Sequence, residues 1–161
     1  MQYNSAILEI FAIFKRNFVE YMIVGGTAVA YYGYSRKSTN TKGEIVDKPD
    51  LDFWYNPTYS NYFNLINALE ELGKDVTKYR DDFSPNPKTS FFKLEFEDYT
   101  LDLLPTIKAP LKFSVSFAKK KVAQYDGVDI PFISLDDLIQ DKLTTPRQKD
   151  IDDIEQLRRL K

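Results

Sequence analysis

A short apolar segment that stops at two glycines and precedes a helical pattern is the feature that most constrains the fold of this chain. The segment Tyr21–Val24 is apolar and favours a strand, and it ends at Gly25 and Gly26. Residues 27–32 then have helical character and stop at Gly33, a residue type that commonly follows a helix. The sequence therefore predicts a strand, a glycine turn and a helix in direct succession.

Hydrophobic periodicity predicts the remaining elements. Apolar residues recur at helical spacing in the first and third of the predicted helices, and they alternate with polar residues in two predicted hairpins. Two of the predicted helices cover residues 5–18 and 58–72, another begins at Ser134, and a last short one follows Pro146 near Ile151. The predicted strands cover residues 51–55, 92–96, 100–103, 122–125 and 128–132. Residues 81–89 are predicted to be a loop, and residues 35–49 a loop or a hairpin.

This order of elements predicts an α+β or α/β fold, with a mixed β-sheet and helices packed mainly on one side. A length of 161 residues falls within the range of one domain, so we expect residues 1–161 to form a single unit, with 145–161 as a C-terminal helix packed on it. The N-terminus has no basic start before its apolar residues, and no apolar run approaches the ~20 residues that span a bilayer. We therefore expect a cytoplasmic protein with no membrane partner.

Composition restricts the chemistry that the chain can perform. Both cysteine and histidine are absent, which excludes disulfides, thiolate nucleophiles and zinc sites built on cysteine. Acid–base or metal chemistry must then use carboxylate, lysine, tyrosine or hydroxyl groups, and carboxylates prefer hard cations such as Mg²⁺. The formal net charge of -2 gives no global attraction to nucleic acid.

Three aspartates on two predicted strands are the candidate metal ligands. Residues i and i+2 of a strand share a face, so Asp50 and Asp52 project together while Leu51 enters the core. Asp102 repeats this pattern on a later strand. Carboxylates that share a face repel one another, and a divalent cation relieves that repulsion. The alternative is a strand end with solvated acids.

The glycine turn is open to two interpretations as well. Backbone N–H groups at Gly25 and Gly26, at the start of a helix, suit a bound phosphate. A tight turn with no ligand explains the same residues. The chain lacks the longer glycine motifs of dinucleotide-binding folds and of P-loops, so both of those classes are excluded.

Taken together, these segments resemble a known superfamily. The run IVGGTAVAYYGYSRKSTN, then PDLDFW, YTLDLL, and finally ISLDDLIQDKL with RQKDIDDIEQL, is similar to the DNA polymerase beta-type nucleotidyltransferases, and in particular to small bacterial members related to the MNT and AbiEii-type toxin–antitoxin proteins. The resemblance covers residues 20–160. It places Lys142, Arg147, Lys149 and Asp150 at matching positions of the terminal helices, and it implies the nucleotidyltransferase fold.

The resemblance also implies roles for the candidate residues. Asp50, Asp52 and Asp102 would be the catalytic residues and would hold two Mg²⁺ ions against a nucleoside triphosphate, which we expect to be ATP. Nucleotide contacts would come from Gly25, Gly26, Thr27, Arg36 and Lys142. Lys142 either contacts phosphate or forms a salt bridge with Asp150 or Asp153, and Arg36 either reaches the triphosphate or is solvated.

Two departures from the superfamily pattern affect the expected site. Residues 40–48 are inserted before the Asp-x-Asp strand, where they either shape an acceptor pocket or form a tolerated surface loop. Gly26 stands where some members have serine, so a hydroxyl contact to phosphate comes from Thr27 or is absent.

The resemblance predicts an enzyme that transfers a nucleoside monophosphate, expected to be AMP, to a hydroxyl of a protein, RNA or small-molecule acceptor, with release of pyrophosphate. The alternative is a non-catalytic binding module, such as an antitoxin-like partner in a toxin–antitoxin pair. Three clustered acids favour the enzyme, because a domain without catalysis has no physical need for them.

Overall fold

The structure is a computed structural model that describes residues 4–33, 38–39, 45–46 and 48–160; for 38–39 and 45–46 it describes the backbone alone. Arg36 and most of the insertion at residues 40–48 lie outside the described residues. The elements are, in order, α1 (Ser5–Arg16), β1 (Tyr21–Val24), α2 (Gly25–Tyr31), β2 (Ser38–Thr39), β3 (Ile45–Val46), β4 (Asp50–Tyr55), α3 (Tyr59–Glu71), α4 (Thr77–Arg80), the 3-10 turn Pro87–Thr89, β5 (Phe92–Glu95), β6 (Thr100–Leu104), α5 (Phe113–Ala118), β7 (Lys121–Tyr125), β8 (Val128–Phe132), α6 (Leu135–Leu143) and α7 (Gln148–Arg158).

The strands form a six-stranded mixed sheet in the order β5-β6-β4-β1-β8-β7, and β2 and β3 pair separately as an antiparallel hairpin. Within the large sheet β4 and β6 are parallel, as are β1 and β8, whereas the other neighbours are antiparallel. The predicted mixed sheet is confirmed, and so are both predicted hairpins. The second hairpin turns at Asp126 and Gly127, which have φ angles of 51° and 78°.

One face of the sheet is covered by helices and is rich in aromatic rings. Residues that are paired directly across strands share a face, so Tyr21, Ile23 and Phe53 lie together on this side. Phe11 and Phe14 of α1 pack on Phe53 with ring centroids 5.8 and 5.6 Å apart. All of these side chains are buried. We call this side of the sheet the closed face; its buried packing holds the sheet against α1.

The opposite face carries Asp50, Asp52 and Trp54 of β4, because side chains alternate along a strand. The end of this face near the C-terminus of β4, which we call its upper end, is closed by residues that pack on Trp54. The Trp54 indole donates to the carbonyl oxygen of Pro105 at 3.2 Å, and Phe113 of α5 meets its ring edge to face at 5.3 Å. The lower end, where the aspartates lie, is left open by these contacts.

The helix ends follow from the sequence. Thr58 and Ser134 cap α3 and α6, with side chains that accept hydrogen bonds from Asn61 N and Asp137 N. Gly33 and Gly73 have positive φ angles just beyond α2 and α3. These boundaries agree with the predicted ones. No helix among the described residues is long and apolar enough to cross a membrane.

Three short elements were not predicted: α4, α5 and the 3-10 turn that interrupts the expected loop at 81–89. Each spans six residues or fewer, so each is too short to show a helical period. Helix α2 also begins at Gly25 and not at Thr27, because Gly25, with a φ angle of 69°, makes the turn by itself. The strand therefore passes into the helix without a linker.

Asn61 links α3 to the sheet and gives a test of the fold. Its buried side chain accepts from Glu20 N at 2.7 Å and donates to Glu20 O at 2.9 Å and to Asn56 O at 2.8 Å. We expect Asn61→Ala to lower the free energy of unfolding in urea by about 2 kcal/mol, because three backbone groups lose their partner. Asn67, on the same helix but exposed, is the control; Asn67→Ala should cost less than about 0.5 kcal/mol. Equal losses would contradict this role of Asn61.

Candidate functional site

The register of β4 and β6 brings two of the predicted aspartates side by side. Asp52 pairs with Asp102, and Asp50 pairs with Thr100, in a parallel ladder. Parallel neighbours are about 4.8 Å apart, so the Asp52 and Asp102 side chains leave the sheet from adjacent points of its open face. On the outer strand β5, Lys93 pairs with Asp102 in turn. A row of charged side chains therefore crosses the open face.

Gly25 touches this row from the other side. Val24 pairs with Asp52, so the first residue of α2 lies against the Asp52 carboxylate. A Cβ atom added to Gly25 would overlap Oδ2 of Asp52 and lie 3.2 Å from its Cβ and Cγ. Gly25 thus combines a left-handed φ angle with the close approach of a helix start to a carboxylate. The predicted neighbourhood of the glycine turn and the aspartates is present.

The Asp52 and Asp102 carboxyl groups are in hydrogen-bonding contact with each other. Burial raises the pKa of Asp52 to about 6; the charges of Asp102 and Asp50 and the hydrogen bond to Asp102 add to this effect, and Lys142 opposes it. Burial also raises the pKa of Asp102, against the charge of Lys93. The pair therefore carries unfavourable negative charge at neutral pH, which a bound cation would relieve.

Asp50 is directed elsewhere. Its Oδ1 accepts a hydrogen bond from the Thr100 hydroxyl, and Asp50 is more exposed than Asp52. Among the described residues no group of three or more acidic side chains is already arranged as a metal site. The donor chemistry of Asp52 and Asp102, two hard carboxylates in contact, nevertheless fits Mg²⁺. The structure brings two of the three predicted ligands together and leaves Asp50 beside them.

Two clefts meet at Asp52. The larger, of 630 Å³, is lined by Gly25, Asp52 and Leu104 and by four cations, Lys88, Lys108, Lys142 and Arg147. The smaller, of 370 Å³, contains Asp50, Asp52 and Asp102 together with Lys93 and Glu95. We call them the basic cleft and the acidic cleft. Asp52 lines both, so the carboxylate pair lies where a ligand in one cleft would meet a ligand in the other.

The predicted nucleotide contacts have different outcomes. Gly25 and Lys142 line the basic cleft. The Thr27 hydroxyl donates to the backbone carbonyl of Asp50 at 3.4 Å. Lys142 is buried and forms the salt bridges that were the alternative interpretation, at 3.3 Å to Asp150 and 3.0 Å to Asp153. Gly26 follows Gly25 in α2 and lines neither cleft.

Sequence reasoning did not assign site roles to Lys88, Phe91, Lys108 and Arg147, which all line the basic cleft. Arg147 belongs to the quoted RQKD segment, so the resemblance contained a signal for it. Lys88, Phe91 and Lys108 lie in connecting segments with no local pattern. The Tyr55 hydroxyl fixes the first of these segments, because its single proton lies between the carbonyl oxygens of Pro87, at 2.9 Å, and of Ser90. That wall is therefore tied to the strand that bears Asp52.

Three solved structures are similar to this chain in fold over almost its whole length. The lincomycin-bound lincosamide antibiotic adenylyltransferase LnuA is 18% identical in sequence, covers 99% of this chain and 98% of its own, and superposes with a TM-score of 0.60. The antibiotic-resistance factor ANT(2'')-Ia is also 18% identical, over 95% of this chain and 80% of its own, with a TM-score of 0.56. The chain has a nucleotidyltransferase fold.

A third structure, an antigenic nucleotidyltransferase-like protein from Paracoccidioides brasiliensis, is 14% identical over 96% of this chain and 76% of its own, with a TM-score of 0.50. No protein-family model and no curated protein sequence matches the chain. The likeness is therefore one of fold. It confirms the expected nucleotidyltransferase fold, whereas the names of these three structures give no support to the narrower MNT and AbiEii-type assignment.

The contact between Gly25 and Asp52 is testable by adding a methyl group. Gly25→Ala should destabilise the protein by about 1–2 kcal/mol for its left-handed backbone, and by a further 1–3 kcal/mol because its Cβ displaces the Asp52 carboxylate. Gly127 is the matched control, with a φ angle of 78° and no atom within 4 Å of an added Cβ. Gly127→Ala should show the backbone cost alone in urea unfolding. Indistinguishable losses would refute the contact.

Because the pKa of Asp52 is raised, replacing its carboxyl group by a neutral group should stabilise the protein by an amount that depends on pH. Above pH 6 the folded parent must hold Asp52 ionised in a buried site, whereas below its ordinary pKa of 3.8 the group is neutral in both states. In a chelating buffer Asp52→Asn should therefore be more stable than the parent by about 2 kcal/mol near neutral pH. The gain should disappear as the pH falls from about 6 to about 4.

Thermal unfolding across this pH range measures the effect. Asp98→Asn, in the exposed turn between β5 and β6, is the control and should show no comparable dependence. A gain for Asp52→Asn that does not vary with pH would mean that the Asp52 carboxyl is not the source.

Proposed function

We propose that this chain is a metal-dependent nucleotidyltransferase that transfers AMP from ATP to a hydroxyl of a small-molecule acceptor and releases pyrophosphate. The observation that carries the proposal is the position of the Asp52–Asp102 pair, against Gly25 and at the junction of the two clefts. A two-substrate transfer needs such a junction, because the two substrates must meet at one phosphorus atom.

The charges of the clefts support an assignment of the substrates. A triphosphate is strongly anionic, and the exposed cations Lys88, Lys108 and Arg147 line the basic cleft. The acceptor then belongs in the acidic cleft, on the opposite side of Asp52. This arrangement suits phosphoryl-type transfer, in which the attacking and leaving oxygens are roughly in line with the phosphorus.

Mg²⁺ held by Asp52 and Asp102, with Asp50 as the expected third ligand, would neutralise triphosphate charge and make the acceptor hydroxyl more acidic. The protein's own residues position the reactants. As the acceptor oxygen bonds to the α-phosphorus, the bond to the pyrophosphate oxygen breaks, and the hydroxyl proton must leave. Asp102 lines the acidic cleft directly beside Asp52, and burial raises its pKa, so it is the carboxylate that we assign to receive that proton.

A small-molecule acceptor is favoured over a protein or RNA by the size of the two clefts. Clefts of 630 and 370 Å³ fall in the range of small-ligand sites. LnuA, whose structure contains lincomycin, is similar to this chain over nearly the full length of both proteins. The sequence resemblance to MNT and AbiEii-type proteins rests on short motifs, and none of the three similar structures is named as a toxin or an antitoxin.

Calorimetry of ATP binding tests the proposal. The parent should bind ATP with an affinity that depends on Mg²⁺, and Asp52→Ala should lose that dependence, while Asp98→Ala should retain it. Pyrophosphate release from ATP should rise when a panel of hydroxylated small molecules is added to the parent, and should remain at background with Asp52→Ala. A parent that shows no metal-dependent affinity for ATP would leave the non-catalytic binding module as the better explanation.

A further inference from the structure

The buried carboxylate of Asp150 contacts three cationic side chains in the basic cleft, those of Lys108, Lys142 and Arg147. Asp150, the third residue of α7, is 1% exposed. Its Oδ2 accepts from Arg147 N at 2.9 Å and from Arg147 Nε at 3.0 Å, and it lies 3.6 Å from Lys108 Nζ. Its Oδ1 is 3.3 Å from Lys142 Nζ. Burial raises the pKa of Asp150, but the Arg147 hydrogen bonds and Lys142 outweigh burial and hold this pKa below its ordinary value.

The three cations differ in exposure, and this difference separates their roles. The Lys142 side chain is 7% exposed and also pairs with Asp153 at 3.0 Å, so it is committed to compensating buried charge. The side chains of Arg147 and Lys108 are 59% and 43% exposed and form the wall of the basic cleft. Lys142 carries one positive charge between two buried carboxylates, so Arg147 and Lys108 complete the neutralisation of Asp150 while their exposed side chains line the cleft.

Asp150 uses only some of the hydrogen-bond donors of the Arg147 guanidinium. Its Nε and Nη2 atoms bind Asp150, and within the described residues its Nη1 donors have no partner. A guanidinium fixed on one edge by a carboxylate presents its other edge in a set direction, which suits phosphate oxygens. The charge of Asp52 contributes to the raised pKa of Arg147, after the larger effect of the Asp150 hydrogen bond. The guanidinium is therefore within electrostatic reach of the carboxylate pair.

We infer that Asp150 is a positioning residue, which holds Arg147 and Lys108 in the basic cleft as a polyphosphate-binding pair, and that Lys142 is a structural ion-pair residue and not a phosphate ligand. Long cationic side chains lose conformational freedom when they bind an anion, and prior attachment to Asp150 reduces that loss. The inference deepens the proposed function and rests on it for the identity of the polyphosphate as that of a nucleotide.

Tripolyphosphate binding in a chelating buffer tests the inference without metal and without a nucleoside. Asp150→Asn should weaken tripolyphosphate binding about 10-fold, because Arg147 and Lys108 lose their anchor. Coulomb's law alone predicts the opposite, since the substitution removes a negative charge from the cleft. Asp152→Asn is the matched control: Asp152 is an exposed residue of the same helix that accepts from Gln148 Nε2 and does not line the cleft, so its substitution should leave the affinity unchanged.

Two further variants keep the test independent of the folding of Asp150→Asn. Arg147→Gln and Lys108→Gln leave the buried Asp150–Lys142 pair in place. Arg147→Gln should lower the melting temperature, because Asp150 loses the guanidinium hydrogen bonds. Each variant, measured where it is fully folded, should weaken tripolyphosphate binding about 10-fold. Arg159→Gln, on the exposed end of the same helical segment and paired with Glu155, should change it less than about 2-fold.

The outcomes separate the inference from the proposed function. Tighter binding by Asp150→Asn, or unchanged binding by both Arg147→Gln and Lys108→Gln, would overturn the inference even if the parent transfers AMP. A parent that binds tripolyphosphate as expected but shows no Mg²⁺-dependent ATP affinity would overturn the proposed function and leave the anion-binding role of the pair intact.

Discussion

The parallel pairing of β4 with β6 is the constraint on which the site depends. This register sets Asp52 directly beside Asp102, and a shift by one residue would turn one of the two carboxylates to the closed face. The closed face prevents such a shift, because Leu51, Phe53, Leu101 and Leu103 would then leave the core. The hydrophobic core therefore determines the geometry of the acidic pair.

The carboxylate pair is unfavourable for the protein without a cation. Burial and mutual repulsion raise the pKa of Asp52 to about 6, and the carboxylate lies in space that is open only because residue 25 is glycine. The rest of the structure tolerates this local cost. The aromatic core behind β4 and the Tyr55 and Trp54 hydrogen bonds hold the strand at its upper end, so strain at Asp52 is not relieved by movement of the backbone.

Charge is distributed across the open face in a way that the net charge of -2 does not reveal. Carboxylates dominate the acidic cleft, and cations from four segments of the chain surround the basic cleft. The cations Lys108, Lys142 and Arg147 are held there by buried Asp150. Two oppositely charged clefts thus share a wall at Asp52, and this separation of charge distinguishes the site from an ordinary acidic strand end.

The sequence by itself determined the elements and the candidate ligands. Apolar periodicity, glycine positions and capping residues are local properties, so α1, α3, both hairpins and the glycine turn could be predicted, along with Asp50, Asp52 and Asp102 as candidate ligands on two strands. The short helices α4 and α5 could not, because a helix of one or two turns is stabilised by what it packs against.

Tertiary structure decided the strand order, the exact facing of Asp52 and Asp102, the turning of Asp50 toward Thr100, and the burial of Lys142. It alone brought Lys108 to Arg147 and Asp150, residues that are about 40 positions apart in the chain. The physical reason is that these relations depend on long-range strand pairing and on the competition of each side chain for a partner. Neither strand pairing nor this competition can be read from a local pattern of residues.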